Sequence, residues 1–468
     1  MATLQTRLIA TGFLAAGLLV TAAGCTVAPA DPVTLTIATD DTETAPAGEQ
    51  IIHFAEEVQR RSGGALLIDP MWRAAGRLDR DWDQANAQLV IDGEADLGLI
   101  PTRAWDMLDV TTLTPLTAPF LITNDELLDA VVVGDLRVDL LAGLADAGVT
   151  GLDLFPEGLR HPFGYAGPIL GIEEYEGAVI RTPTSKTAFA LFDAFGARPV
   201  GDQSDPVVQK GTDSSFALTP AAAATANVTL FAKVNALVAG PSYARLSAQN
   251  QRILGDAAEA TRQWVIETLP TDADAAAIFC AQGGTIAAVS DAQLTELQDA
   301  ATPVTDALMK DPAVARMIAE IRVLKQAHPD PAPVTECAAS APGVGSTAID
   351  GAYTVTVARQ DFVDRGFTIE GDIAQNLGDF TWTFTAGRYA YEQRMPNGRY
   401  FEGTGDYTLN GDKFTLYWSH EPGEFSAATV TKQPDGSLLF TEVTDGLGED
   451  FQPVSETLFG AHPFEAER

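Results

Sequence analysis

Cysteine and histidine are scarce in this sequence: three and five, respectively, in 468 residues. No Cys-x-x-Cys or His-Glu-x-x-His spacing occurs, so a structural zinc site or a zinc-protease centre would lack ligands. Carboxylate-bound calcium is the metal chemistry left open. Basic residues are few as well, 29 Lys and Arg against 64 Asp and Glu, and the net charge of −35 repels a phosphate backbone within the screening length. Nucleic acid is therefore not an expected partner. No cofactor is implied either, since Gly343-Val344-Gly345 has neither a strand before it nor a helix after it. Beyond residue 25 no stretch reaches 18 apolar residues without a charge, so the body of the protein is expected outside the membrane. What remains is an ordinary globular balance, 46% hydrophobic and 20% charged, long enough for roughly three structural units at about 150 residues each.

The first 25 residues read as an address. Arg7 is the one charge there, followed by an apolar run from Leu8 to Val20 and then Thr21-Ala22-Ala23-Gly24-Cys25. The ending resembles a bacterial lipobox, with Ala22 where Leu is commoner. The resemblance implies that Cys25 is acylated and begins the mature chain, held on the extracytoplasmic face of a membrane by about 0.8 kcal/mol per buried methylene. A cleaved, fully secreted protein is the alternative. With Cys25 assigned to lipid, Cys280 and Cys337 form a pair in an oxidising compartment, and a disulfide is the natural reading. Two buried thiols are the other.

Residues 26–32 read as a tether, and 26–328 as an α/β body. Val33–Ile37 has strand period, Gly48–Gly63 helical period, Ala65–Ile68 strand, Asp83–Asp92 helix and Ala95–Ile100 strand again, which predicts layers with a largely parallel sheet. The pattern repeats after Gly148, with strands at Thr150–Phe155 and Ala178–Arg181 and a helix at Ser185–Phe195, so a second lobe is expected. Helices dominate from Ala244 to His328. There Ser290 and Gln293 have capping-box spacing and Asp311-Pro312 marks a helix start. Residues 329–347, rich in Pro, Ala, Gly and Ser, read as a linker. From 348 to 468 short β-rich runs alternate with turns at Asn397-Gly398, Asn410-Gly411 and Asp435-Gly436, which predicts a small antiparallel barrel or sandwich.

The run Pro168-Ile169-Leu170-Gly171-Ile172-Glu173-Glu174-Tyr175-Glu176-Gly177-Ala178-Val179-Ile180-Arg181-Thr182-Pro183, continuing to Phe195-Gly196-Ala197-Arg198-Pro199-Val200, resembles the TRAP transporter solute receptors of the C4-dicarboxylate-binding type. Collinear matches include Ser62-Gly63-Gly64, Ala118-Pro119-Phe120-Leu121 and Gln251-Arg252-Ile253. The resemblance implies a two-lobed binding fold, a small organic acid as ligand, a membrane permease as partner and no catalytic residues. It also implies that Arg181 grips the ligand carboxylate. The family's Gly-x-x-Asp-Gly turn is altered here, because Gly211-Thr212-Asp213 is followed by Ser214, which weakens a ligand contact assigned to Asp213. The segment from Asp350 onward is absent from the ordinary receptors and loosely resembles lipocalin-like barrels.

Arg181 suits that role chemically. It is placed at the carboxyl end of a strand, where α/β sheets bind ligands, and its guanidinium offers two parallel donors. The helix that follows would add free N–H groups and partial positive charge. Pairing with a surface acid is the plainer explanation for any single arginine in so acidic a chain. Arg103 and Trp105 follow the strand ending at Ile100 and are candidates for the same cleft, against a solvated Arg and a structural Trp. Arg160 is a further candidate, with a capping or core role as its alternative. Two other functions compete. A secreted hydrolase would need a nucleophile, yet Gly240-Pro241-Ser242-Tyr243-Ala244 is no Gly-x-Ser-x-Gly elbow. The β domain would bind a lipid or polymer if Trp382, Tyr389, Tyr391, Tyr400, Tyr407 and Trp418 formed a surface; at strand spacing, an aromatic core explains them better.

Overall fold

The computed structural model describes residues 32–76, 81–164, 167–201, 210–216, 224–281, 284–337, 347–366, 370–385, 387–396, 400–417, 425–445 and 452–466. Cys25, Tyr165, Trp418 and the Asn397-Gly398 turn lie outside the described residues. The first ten strands are β1 (Val33–Ala38), β2 (Leu66–Met71), β3 (Leu97–Pro101), β4 (Thr150–Gly164), β5 (Val179–Arg181), β6 (Arg198–Val200), β7 (Gly211–Ser214), β8 (Ala224–Ala226), β9 (Phe231–Ala239) and β10 (Thr285–Ala287). They are ordered β2-β1-β3-β9-β4-β7-β5-β6, with β8 joining β4 to β10.

The expectation of a largely parallel sheet needs correction. β1, β2 and β3 are parallel to one another, and so are β5, β6 and β7. Between these groups β9 runs antiparallel to β3 and β4, and β4 runs antiparallel to β7 and β8. The two parallel groups are the two lobes of an α/β fold, and β4 and β9 tie them together. β4 is nine residues longer than the run ending at Phe155. Its pairing with β9 shifts register between Pro156 and Leu159, where Gly158 takes φ +91°, a conformation that side chains resist. Beyond this bulge β4 pairs with the second lobe.

Each lobe buries its own core. In the first, the helix Pro46–Ser62 sets Ile51, Phe54 and Val58 against Leu35, Ile37 and Leu97 of the sheet and Leu254 and Ala257 of the helix Ala248–Thr268. It stops at Gly63, whose left-handed φ of +63° lets its N–H reach the Arg60 carbonyl. In the second, Leu191, Phe192 and Phe195 pack on Ile180 and Phe231. The capping box at Ser290 and Gln293 and the helix start at Asp311-Pro312 are both present. Cys280, in the helix Asp272–Ala281, is bonded to Cys337, with Cα atoms 5.9 Å apart across 57 positions of sequence. Ile286 and Cys337 also exchange two backbone hydrogen bonds.

The remaining strands are β11 (Gly351–Val357), β12 (Gly378–Thr385), β13 (Arg388–Arg394), β14 (Tyr400–Asn410), β15 (Lys413–Tyr417), β16 (Phe425–Lys432), β17 (Leu438–Asp445) and β18 (Glu465–Ala466). They form an antiparallel meander from β11 to β17. β18 pairs with β11, while the preceding Phe464 bonds in both directions with Leu438 at the start of β17, so the sheet closes on itself and has no free edge at this seam. β12 alternates inward Phe380, Trp382 and Phe384 with outward Thr. Trp382, Tyr389, Tyr407, Phe414 and Phe440 fill the interior, and Phe459 from the helix Gln452–Gly460 packs 5.5 Å from the Trp382 ring. These aromatics are core, packed against one another inside the sheet.

Candidate functional site

Three of the arginines singled out in the sequence come from different elements and meet at the junction of the lobes. Arg103 follows β3 in the short 3-10 helix Thr102–Leu108, and its Nη2 donates to Asp83 Oδ2 at 2.9 Å. Arg160 sits on β4 just past the bulge and is buried. Its Nε donates to Asp213 Oδ2 at 2.5 Å and its Nη2 to the Asp213 carbonyl at 2.6 Å. Arg181 ends β5, half-buried, and Thr182-Pro183-Thr184-Ser185 leads from it into the helix Lys186–Ala194. Burial draws the Arg160 guanidinium below its ordinary value; Asp213 opposes this, and the charges of Arg103 and Arg181 add to it. Arg103 and Arg181 thus both lie within electrostatic reach of Arg160. Converging like charges are unfavourable unless anions share the space, and Asp83 and Asp213 supply two.

A second polar group faces this region from β9 and β4. Lys233 and Asn235 point to one side of β9 in an otherwise apolar run, because alternate strand residues share a face. Lys233 Nζ pairs with the Glu157 carboxylate. Asn235 Nδ2 donates to Glu157 Oε2 at 2.6 Å and to Gln50 Oε1 at 3.1 Å, and Gln50 Nε2 donates to the Pro156 carbonyl at 3.0 Å. These bonds fix the orientation of the Asn235 amide and leave its Oδ1, on a residue 1% exposed, without a donor. Asp41, three residues past the end of β1, belongs to the same group. Burial pushes its carboxyl up to about 6, the charges of Glu157 and Asp83 push the same way, and Lys233 and Arg103 oppose them. Sequence reasoning missed Asp41, Gln50, Glu157, Lys233 and Asn235. The detectable signal was a Lys and an Asn two apart inside Phe231–Ala239.

Two expectations are corrected here. The N–H groups opening the helix Lys186–Ala194 do not face a ligand. Asp106, from the first lobe, accepts from Lys186 N at 3.0 Å, Thr187 N at 2.8 Å and Ser185 Oγ at 2.8 Å, and the Ser185 hydroxyl oxygen accepts from Ala188 N. A carboxylate satisfies the positive helix end from within the protein. Gln84 Nε2 adds a bond to the Thr184 carbonyl at 2.8 Å. Trp105 offers no flat wall to the cleft, because it is 0% exposed in the core of the first lobe. Asp213, 0% exposed, is committed to Arg160 through one carboxylate oxygen and its carbonyl. Among the described residues no group of three or more His, Cys, Asp or Glu is arranged to hold a metal ion, and no helix is long and apolar enough to cross a membrane.

Comparison with known proteins agrees with this architecture. Residues 37–201 match the family of bacterial extracellular solute-binding proteins, family 7. That family is one of binding proteins and not of enzymes. The matched segment runs from β1 through Arg103, Arg160 and Arg181 to the end of β6. Solved structures similar to this chain include a TRAP periplasmic solute-binding protein from Ochrobactrum anthropi whose C-terminus is bound in its ligand pocket, at 20% identity over 64% of this chain and 96% of that chain, TM-score 0.52. The sugar acid binding protein of Advenella mimigardefordensis, solved with galactonate, is 16% identical over 63% and 99%, TM-score 0.54. A Shewanella oneidensis TRAP protein solved with succinate is 15% identical over 62% and 99%, TM-score 0.52. At these identities the likeness is one of fold. No curated protein sequence matches the chain.

Proposed function

We propose that this solute-binding chain is an extracytoplasmic receptor that takes a small organic acid between its two lobes and presents it to a membrane permease. The observation that carries this reading is the meeting of Arg103, Arg160 and Arg181 where the lobes join. Arg103 pairs with Asp83 and Arg160 with Asp213. Arg181 grips the ligand carboxylate through its planar guanidinium, and two charge-assisted bonds of roughly 1.5–3 kcal/mol each supply a large part of a micromolar affinity. Related folds solved with galactonate and with succinate support an acid as ligand. Residues 26–328 form the receptor, 329–347 a linker and 348–468 an appended barrel. Acylation of Cys25 tethers the receptor to the membrane. Opening of the lobes about β4 and β9 releases the ligand, a hinge motion with no chemical step.

The test is a thermal-shift panel of organic acids against the purified mature chain, with mass spectrometry of any small molecule that co-purifies. A saturable rise in melting temperature with at least one acid is expected. No response across mono-, di- and hydroxylated carboxylates, together with turnover of chromogenic esters or glycosides, would replace the receptor by a hydrolase.

A further inference from the structure

Apart from β4 and β9, the lobes meet at the helix start that follows Arg181. Asp106 stands three residues past Arg103, beside Ala104 and Trp105 of the first lobe's core, while Ser185, Lys186 and Thr187 open the helix whose Ala188, Leu191 and Phe192 pack in the second. One Asp106 carboxylate oxygen accepts from Lys186 N at 3.0 Å, and the other from Thr187 N and Ser185 Oγ at 2.8 Å each. Gln84, from the helix Trp82–Ile91 of the first lobe, donates to the Thr184 carbonyl at 2.8 Å and to the Ala104 carbonyl at 3.3 Å. Each bond across the junction thus has a first-lobe side chain as one partner. Neither segment is a strand, so this contact parts without breaking the sheet. Asp106, Ser185 and Thr187 are buried together, and water hydrogen-bonds a carboxylate and a helix N–H equally well once they separate, which makes the contact reversible.

We propose that Asp106, assisted by Gln84, is a latch between the lobes: it grips the start of the helix behind Arg181, holds the chain shut for part of the time without a ligand, and sets the end of β5 in place as the lobes meet. The proposal adds to the hinge motion of the receptor reading and assumes nothing about which acid binds. Only Thr182-Pro183-Thr184 separates Arg181 from Ser185, and Pro183 restricts the backbone between them, so holding Thr184 and Ser185 also holds the end of β5. Asp106 and Gln84 are therefore positioning residues, acting on Arg181 through the turn that follows it. A latch made by the protein itself reduces what a ligand must supply to close the lobes, because the closed form is already populated. Lys186 Nζ also donates to Asp109, at 2.6 Å, but an exposed pair of this kind adds little.

The experiment is double electron–electron resonance on the full mature chain carrying Cys25→Ser, with nitroxides at Val138→Cys and Asp299→Cys. Both positions are exposed, on the helix Leu136–Ala142 of the first lobe and the helix Asp291–Leu308 of the second. Without ligand, a closed population at the separation of this structure is expected beside an open one. Asp106→Asn turns an amide donor toward helix N–H groups and should raise the open-to-closed ratio about tenfold, the weight of one charge-assisted hydrogen bond. Gln84→Ala leaves the helix cap in place and should raise it about threefold, the weight of one neutral bond. A side chain that merely steadies its helix would lower hydrogen-exchange protection over residues 186–194 and leave the distances unchanged; that result overturns the proposal, as does a ligand-free chain found wholly open with Asp106 in place. If Asp106→Asn fails to fold by far-ultraviolet dichroism, Gln84→Ala decides alone. Unchanged distances remove the latch and leave an acid receptor standing, whereas a panel in which no acid binds removes the receptor reading and leaves the latch to be judged by the distances.

Discussion

Replacing Asp106 by Ala removes a carboxylate that one lobe inserts into the helix start of the other. Lys186 N and Thr187 N lose their acceptor at 3.0 and 2.8 Å, and Ser185 Oγ loses its own at 2.8 Å. Asp106 is 6% exposed, so water does not readily take its place. Loss of a helix-capping side chain costs about 0.5–2 kcal/mol, and each buried group left without a partner about 1 kcal/mol or more. The favourable return of the carboxylate to water in the unfolded chain offsets part of this, leaving about 2–4 kcal/mol. Hydrogen exchange read by mass spectrometry over residues 186–194 is the assay, because it reports local opening without assuming that the whole chain unfolds in one step. Protection should fall by about 30- to 1,000-fold, at about 1.4 kcal/mol per factor of ten. The exposed Lys186–Asp109 pair serves as control, since a solvated ion pair contributes little, and Asp109→Asn should change protection several-fold or less. Protection in Asp106→Ala within threefold of the unaltered protein would refute the reasoning.

Three further outcomes follow from the same structure. Burial, reinforced by Asp125 and Glu126, raises Asp129 from 3.8 to about 6; the folded state therefore holds this proton more firmly than the unfolded one, and its contribution to stability is lost as pH rises from about 4 to 6. Asp129→Asn should raise the urea midpoint at pH 8 and leave it unchanged at pH 4. Removing the Cys280–Cys337 link with paired Ala substitutions should cost about 4 kcal/mol by loop entropy across 57 positions, read as a lowered urea midpoint for the second lobe. Trp382→Ala empties the centre of the barrel and should cost about 3–5 kcal/mol, seen as early loss of near-ultraviolet dichroism.

Local chemistry made some elements legible. Ser290 with Gln293 and Asp311 with Pro312 announce helix starts because the capping atoms lie within one turn. The turns at Gly411 and Gly436 were readable because both carry positive φ, which the Asn-Gly and Asp-Gly pairs advertise. β9 was not readable. All nine of its residues are buried on both faces, so it has no alternation, and a short apolar run of that kind does not distinguish strand from helix. The extension of β4 was hidden by Pro156, Gly158 and Pro162, residues that argue against a strand unless a bulge accommodates them. The site divides in the same way. Arg181 stood out through the run around it, whereas Asp106 meets partners 79 to 81 positions away, and nothing local in its sequence marks that encounter. Arg160 and Asp213 were each visible, but their mutual bond was not.

The central claim is that Arg181 holds the carboxylate of a bound acid, and the most direct measurement is calorimetric titration of the unaltered chain and of Arg181→Ala with whichever acid stabilises the protein best. Two charge-assisted hydrogen bonds at the lower bound of about 1.5 kcal/mol each amount to about 3 kcal/mol, so the variant should bind at least a hundredfold more weakly while melting at a similar temperature without ligand. An Arg181→Ala protein that binds the same acid within threefold of the unaltered affinity would contradict the account.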